Sequence, residues 1–386
     1  MKKWMSWILT VCLLASAPLK AFAQENAPEL QTPHAAVMEV STGELLYEKE
    51  ADARVHPASV TKIMTILLTF EALEKGEISL EDAVITSARA KSMGGSQVFL
   101  EEGEVQTVET LLKCIIIASG NDASVAMAEH ISSTEEAFVE RMNEEAQRLG
   151  MVNTHFADCC GLTESAEHYT SAKDVAIMSR ELLYRFPQVT EYSDIWMEDI
   201  THETRQGSST FTLTNTNKLL RSYEGCDGLK TGSTSLAKFC LSATARRDGI
   251  RLISVVLGAP DSKTRFSEAG SLLSHGFSMC SLYYDEDMGN PGTARVRGGK
   301  AELVDLAYED EFSYLSTSGE DFTEIEKELF VEENLDAPVK EGQQAGKLVY
   351  TLNGKQIGEV PVLTAASVEK ADYAWCLDTV FDAWFL

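Results

Sequence analysis

Between residues 57 and 73, Ile63, Met64, Ile66, Leu67 and Phe70 recur at helical spacing, after Pro57 and before Gly76. The spacing predicts a buried helix, and a buried helix needs other elements packed around it. Two short apolar runs, 35–39 and 44–47, flank Ser41-Thr42-Gly43 and predict a β-hairpin ahead of it. Further helices are expected over 108–117, 122–130, 135–149 and 172–184, and strands over 236–245 and 252–256, where Ile253, Val255 and Val256 mark a core strand. Helices gathered between strand segments predict an α+β domain ending near Ser281.

The two ends of the chain read differently. Lys2 and Lys3, an apolar stretch from Trp4 to Ala17 and the small-x-small Ala21-Phe22-Ala23 predict a signal peptide over 1–23, cut before Gln24. After Asp285 the composition shifts: residues 285–341 hold 17 acidic and 5 basic residues. Asn353-Gly354 between apolar runs predicts a hairpin turn. The expected division is therefore 1–23 signal peptide, 24–281 catalytic domain, 282–366 β-rich domain and 367–386 terminal helix. In that last segment Tyr373, Leu377, Val380, Phe381 and Trp384 fall on one helical face, which predicts an amphipathic helix lying on a membrane surface. Its acidic opposite face argues for anchoring by hydrophobic burial rather than by charge.

Charge and cysteine usage narrow the function. A net charge of −27 argues against nucleic acid as a partner, because such binding neutralises phosphates. Once Cys12 leaves with the signal peptide, seven cysteines remain without paired spacing, which argues for buried thiols rather than a disulfide scaffold. There is no H-E-x-x-H and no C-x-x-C. His155, Cys159, Cys160 and His168 could gather around zinc, but adjacent cysteines lack the usual ligand spacing. No metal and no cofactor are expected.

The chemistry lies in three short motifs. Ser59-Val60-Thr61-Lys62 fits S-x-x-K, as do Ser235 to Lys238 and Ser367 to Lys370. Only Ser59 opens a predicted apolar helix, where Lys62 follows one turn later and burial can lower a lysine pKa enough to make it a base. A plain helix cap with a solvated lysine is the competing interpretation. Ser119-Gly120-Asn121 is the one S-x-N in the sequence and Lys230-Thr231-Gly232 the one K-T-G. Their order, with 57 residues from Lys62 to Ser119 and 111 more to Lys230, is that of the penicillin-recognising serine acyl-transferases.

With His56 to Lys62, Met93 to Val98, Asn215 to Leu220 and Gly228 to Gly232, the chain resembles the serine-type D-Ala-D-Ala carboxypeptidases, the low-molecular-mass penicillin-binding proteins. The resemblance runs from about Ala35 to the end and implies a β-lactamase/transpeptidase-like domain followed by a small β-rich one. It implies that Ser59 attacks the penultimate D-alanine carbonyl of a peptidoglycan stem peptide, that Lys62 takes its proton and that Ser119 relays a proton to the departing D-alanine. Asn121, Lys230, Thr231, Gly232, Ser233 and Arg265 are implied to bind substrate, with the N–H groups of Ser59 and Ser233 holding the oxyanion. β-Lactams are implied as acylating ligands, and the outer face of the cytoplasmic membrane as the location. Asp158-Cys159-Cys160-Gly161 departs from the pattern, where an asparagine-containing loop is expected.

Three alternatives stand beside this one. A β-lactamase would need a deacylating base, for which Glu164 and Glu167 are the nearest acids in a polar context. A D,D-endopeptidase or transpeptidase would share all three motifs. A non-catalytic wall-binding module would fit decayed motifs, and none has decayed.

Overall fold

The computed structural model describes residues 27–205 and 207–384, so the predicted signal peptide over 1–23 lies outside the described residues. The chain divides into two compact units, Met1–Met279 and Cys280–Leu386.

In the first unit a five-stranded antiparallel sheet has the order β2-β1-β9-β8-β7, built from β1 (His34–Glu39), β2 (Leu45–Lys49), β7 (Cys226–Thr234), β8 (Lys238–Arg247) and β9 (Ile250–Ala259). The first hairpin of the chain thus joins strands more than two hundred residues later, with Val37 opposite Ser254. β8 and β9 are buried on both faces along most of their length, because helices cover the sheet on each side. On one side α8 (Ser262–Met279) comes close enough that a Cβ on Gly276 would lie 2.8 Å from Leu252 Cδ1.

The other side is a helical layer. It holds α1 (Lys62–Glu74), α3 (Val108–Ile116), α4 (Asn121–Ser132), α5 (Glu135–Arg148) and α6 (Ala172–Arg185), with α2 (Ala88–Lys91) and α7 (Val189–Ser193) as short connectors. α1 is buried continuously from Lys62 to Ala72, so the segment that reads as a core helix has neighbours all round. α3, α5 and α6 are each capped by the side chain of a preceding threonine or serine, Thr107, Thr134 and Ser171, accepting from a backbone N–H. Two small antiparallel pairs complete the unit, β3 (Ala83–Ile85) with β4 (Val105–Thr107) and β5 (Met197–Thr204) with β6 (Gly207–Thr214).

The helix expected from residue 57 begins differently. Ala58–Thr61 is a 3-10 turn, and the α-helix starts at Lys62. The difference matters, because three residues per turn place positions i and i+3 in line.

The second unit is β-rich. Its main sheet has the order β14-β16-β17-β12-β11-β15, in which β11 is Thr293–Arg297, β12 Leu303–Tyr308, β14 Ile325–Val331 and β15 Asn334–Asp336, with a two-stranded pair of β10 (Ser281–Tyr284) and β13 (Ser313–Ser316). β16 (Gln344–Leu352) and β17 (Lys355–Thr364) are joined by Asn353 and Gly354, at φ of 53° and 76°. Both signs suit a two-residue turn whose twist matches the strands. The last helix, α9 (Tyr373–Trp384), keeps Tyr373, Leu377, Val380, Phe381 and Trp384 exposed.

Candidate active site

Ser59 lies in the 3-10 turn, and Lys62 Nζ sits 3.1 Å from its Oγ. The lysine is fully buried while Ser59 is half-buried, so the hydroxyl is reachable and its partner is not. Lys62 Nζ also donates to Asn121 Oδ1 at 2.6 Å and to the Cys160 carbonyl at 2.9 Å. Burial pushes its pKa below the usual lysine range, opposed by the nearby acidic groups of Cys160, Cys159, Asp158 and Asp122. The competing sequence interpretation fails on geometry: the position before the turn is Pro57, no side chain caps it, and Lys62 is not solvated.

Ser119 and Asn121 come from the break between α3 and α4. Ser119 has φ of 62° and a buried Oγ with no hydrogen-bond partner among the described residues, which leaves the hydroxyl available to a ligand. Asn121 Nδ2 donates to the Gly94 carbonyl at 2.7 Å, which leaves its second hydrogen over. Gly95 (φ 73°) passes so near that a Cβ there would be 2.8 Å from Asn121 Nδ2. The buried Asp122 carboxylate accepts from the N–H groups of Val98 and Leu100 and thereby pins the 94–100 loop to the start of α4.

The opposite wall is β7, an edge strand. A Cβ on Gly232 would lie 2.8 Å from Ser59 N and 3.0 Å from Val60 N, so the missing side chain lets the strand approach the nucleophile's own turn. Lys230 is buried with one acceptor, the Thr231 carbonyl at 3.2 Å. Its pKa falls well below the ordinary value, first through burial and then through the charges of Lys62 and Arg265. Thr231 Oγ1 donates to Thr216 Oγ1 at 2.6 Å, and Asn217 Nδ2 holds the Gly228 carbonyl at 2.8 Å. Ser233, the next residue, is exposed.

Arg265 is no surface charge. It is 7% exposed, donates through Nη1 to the carbonyls of Gly232 and Cys240 at 3.2 and 3.3 Å, and lies against Phe239 and Phe266. Its buried Nε has no partner among the described residues, and burial lowers its pKa to about 10.

The departing loop turns out to be structural in its backbone. Asp158 accepts from the N–H groups of Cys160, Gly161, Leu162 and Thr163, and the carbonyls of Cys159 and Cys160 receive Thr65 Oγ1 and Lys62 Nζ. Both thiols are buried and free. His155 Nδ1 faces the Glu167 carbonyl and His168 is taken up by Thr61 and Ala157, so these four residues do not converge on one point. Glu164 and Glu167 are exposed. The other two S-x-x-K serines lie on the surface, Ser235 beside Glu164 and Ser367 accepting from Glu341 N. The sequence reading gave no role to Asp122, Thr216 or Thr61 and weighed His168 only as a zinc ligand; Asp122 next to the S-x-N was the one with a local signal.

The family model for D-alanyl-D-alanine carboxypeptidases matches residues 21–261. The chain belongs to that family. The carboxypeptidase match is followed by one to the penicillin-binding protein 5 C-terminal domain over residues 277–370. The chain is 40% identical to D-alanyl-D-alanine carboxypeptidase DacF of Bacillus subtilis, covering 100% of this chain and 99% of that protein. It is 34% identical to carboxypeptidase DacC of Escherichia coli over 92% of this chain and 89% of that one. Penicillin binding protein 5 from Haemophilus influenzae superposes with a TM-score of 0.65 at 32% identity, over 89% of this chain and 99% of that chain. As a carboxypeptidase-family fold, the first unit puts the three motifs around one half-buried serine.

Proposed function

We propose that the protein is a serine D,D-carboxypeptidase that removes the terminal D-alanine from peptidoglycan stem peptides and is acylated by penicillins. The observation that carries this is a fully buried lysine 3.1 Å from a reachable serine hydroxyl. Membership of the carboxypeptidase family supports the choice of substrate.

In the proposed reaction neutral Lys62 takes the Ser59 proton as Oγ bonds to the penultimate D-alanine carbonyl carbon. The oxyanion that forms is held by the N–H groups of Ser59 and Ser233, each donor of this kind typically worth ~10²–10³ in rate. The C–N bond then breaks, the proton passes through Ser119 to the departing amine, and D-alanine leaves. Water hydrolyses the acyl-enzyme in the second half. Asn121 orients Lys62 through Oδ1 and has an N–H left for the substrate carbonyl.

The two lysines divide the charge. Lys62 has three acceptors and Lys230 one, so in the free site a proton is better kept on Lys62. A substrate carboxylate at Thr231, Lys230 and Arg265 favours the charged form of Lys230, and like-charge repulsion then favours the neutral form of Lys62. Substrate binding thereby arms the base.

The remaining assignments extend this reading. Residues 1–23 serve as a signal peptide, 24–281 as the catalytic domain, 282–366 as a β-rich support and 367–386 as a membrane-surface helix; the five exposed apolar residues of α9 are what support the last. No helix among the described residues is long and apolar enough to cross a membrane. The test of the activity is release of D-alanine from a pentapeptide ending in D-Ala-D-Ala. The parent chain is expected to release it and Ser59→Ala to release none; release by both would overturn the assignment.

A further inference from the structure

Ala58, immediately before the nucleophile, has φ of 49°, a left-handed conformation that costs a residue with a Cβ about 1–2 kcal/mol. Its carbonyl is held in place: Thr61 Oγ1 donates to Ala58 O at 2.8 Å. That hydroxyl has one proton, so its second contact, 2.9 Å from His168 Nε2, is a bond that it accepts. Nε2 therefore carries the imidazole proton, and Nδ1 is left to accept from Ala157 N at 2.9 Å. The result is a directed chain from the Ala157 amide through His168 and Thr61 to the carbonyl that precedes Ser59.

The chain is enclosed. Ala58, Thr61 and His168 are all buried, and Phe156 packs edge-on against the imidazole. Gly161 lies directly over the same carbonyl, where a Cβ would come within 1.8 Å of Ala58 O and 2.7 Å of Thr61 Oγ1. The neighbouring Cys160 carbonyl receives Lys62 Nζ. One loop therefore touches both the nucleophile's turn and the base.

Resting on the acyl-enzyme reading above, we propose that His168 is a positioning residue for catalysis, holding the Ser59 turn in its attacking geometry through Thr61 without touching substrate. The titratable groups acting on the imidazole are Asp158, which favours its protonation, and His56 and His155, which oppose it; burial is the largest influence and favours the neutral ring. Protonating Nδ1 would cost the bond from Ala157.

The test uses full-length protein and a fluorescent penicillin in four variants, Thr61→Val, Thr61→Ser, His168→Leu and His168→Gln. The parent must first label at Ser59; if it does not, the acyl-enzyme reading fails, and that failure is separate from this one. Given a labelled parent, Thr61→Val and His168→Leu are expected to lower the limiting acylation rate about 10–100-fold, the order expected of a misplaced nucleophile. The dissociation constant of the preceding non-covalent complex should stay near the parent's. Thr61→Ser keeps the hydroxyl and His168→Gln can keep an N–H toward it, so both are expected to acylate close to the parent rate. Rates are taken on the fraction that excess penicillin titrates, which removes misfolded protein from the comparison. Parent-like acylation by Thr61→Val and His168→Leu would overturn the proposal, and so would equal losses in His168→Gln and His168→Leu.

Discussion

At the scale of single residues the site is a set of buried polar groups whose costs fall in different places. Lys230 is buried with one acceptor, so the fold bears much of its desolvation uncompensated. Lys230→Met is therefore expected to raise the melting temperature, by about 2–4 °C for each kcal/mol recovered, while D-alanine release collapses. Calorimetry beside the release assay checks this, and a lower melting temperature would contradict it. For Lys62 the depressed pKa sets the acid limb of acylation. The protonated form is inactive and the neutral one is reached below the ordinary lysine range, so the rate should rise with pH and level off before pH 10.5. Lys62, Ser119, Asn121 and Lys230 were legible because their motifs are local and contain reactive side chains. His168 and the Cys160 carbonyl were not, since one acts 107 residues away in sequence and the other is a backbone oxygen that no residue type announces.

At the scale of elements, the same substitution has different consequences at different glycines. Gly161 has φ of 78° and no room for a Cβ over Ala58 O, so Gly161→Ala is expected to cost about 2–4 kcal/mol and to remove penicillin labelling. Gly354 has φ of 76° and open space around it, so Gly354→Ala should cost only about 1–2 kcal/mol and leave labelling intact. Thermal melts with labelling of each variant separate the two cases. The 158–168 loop also predicts an acid response. Folded His168 has a pKa below its ordinary 6.5, so the unfolded chain takes up its proton first as pH falls. Its contribution is complete above that value and is lost on acidification, and the depressed Asp158 adds a second loss below about pH 4 in the same direction. His168→Gln should flatten the first of these steps in a melting-temperature profile. Helices α3 to α6 were readable from apolar spacing and caps, whereas α8 was not, because Ser262 to Met279 is rich in serine and glycine and packs through close approach. The β5–β6 pair was missed for a different reason: its strands are largely exposed and carry little apolar alternation. Asp248-Gly249, both at positive φ between β8 and β9, was a usable turn signal.

At the scale of the molecule, every group placed around Ser59 belongs to the first unit, up to Arg265. A chain ending after Ser281 is expected to stay soluble and to label with penicillin, since the unit has its own core. The exposed apolar face of α9 predicts that the full chain pellets with membranes and resists a salt wash, while a chain ending at Ala366 stays in the supernatant. Both expectations concern parts that carry no chemistry. The most direct measurement of the chemistry itself is the site of acylation: intact mass after treatment with penicillin, followed by peptide mapping. One added penicilloyl group is expected, on the peptide containing Ser59, and none on Ser59→Ala. An adduct on Ser119, Ser235 or Ser367, or an unmodified parent, would contradict it.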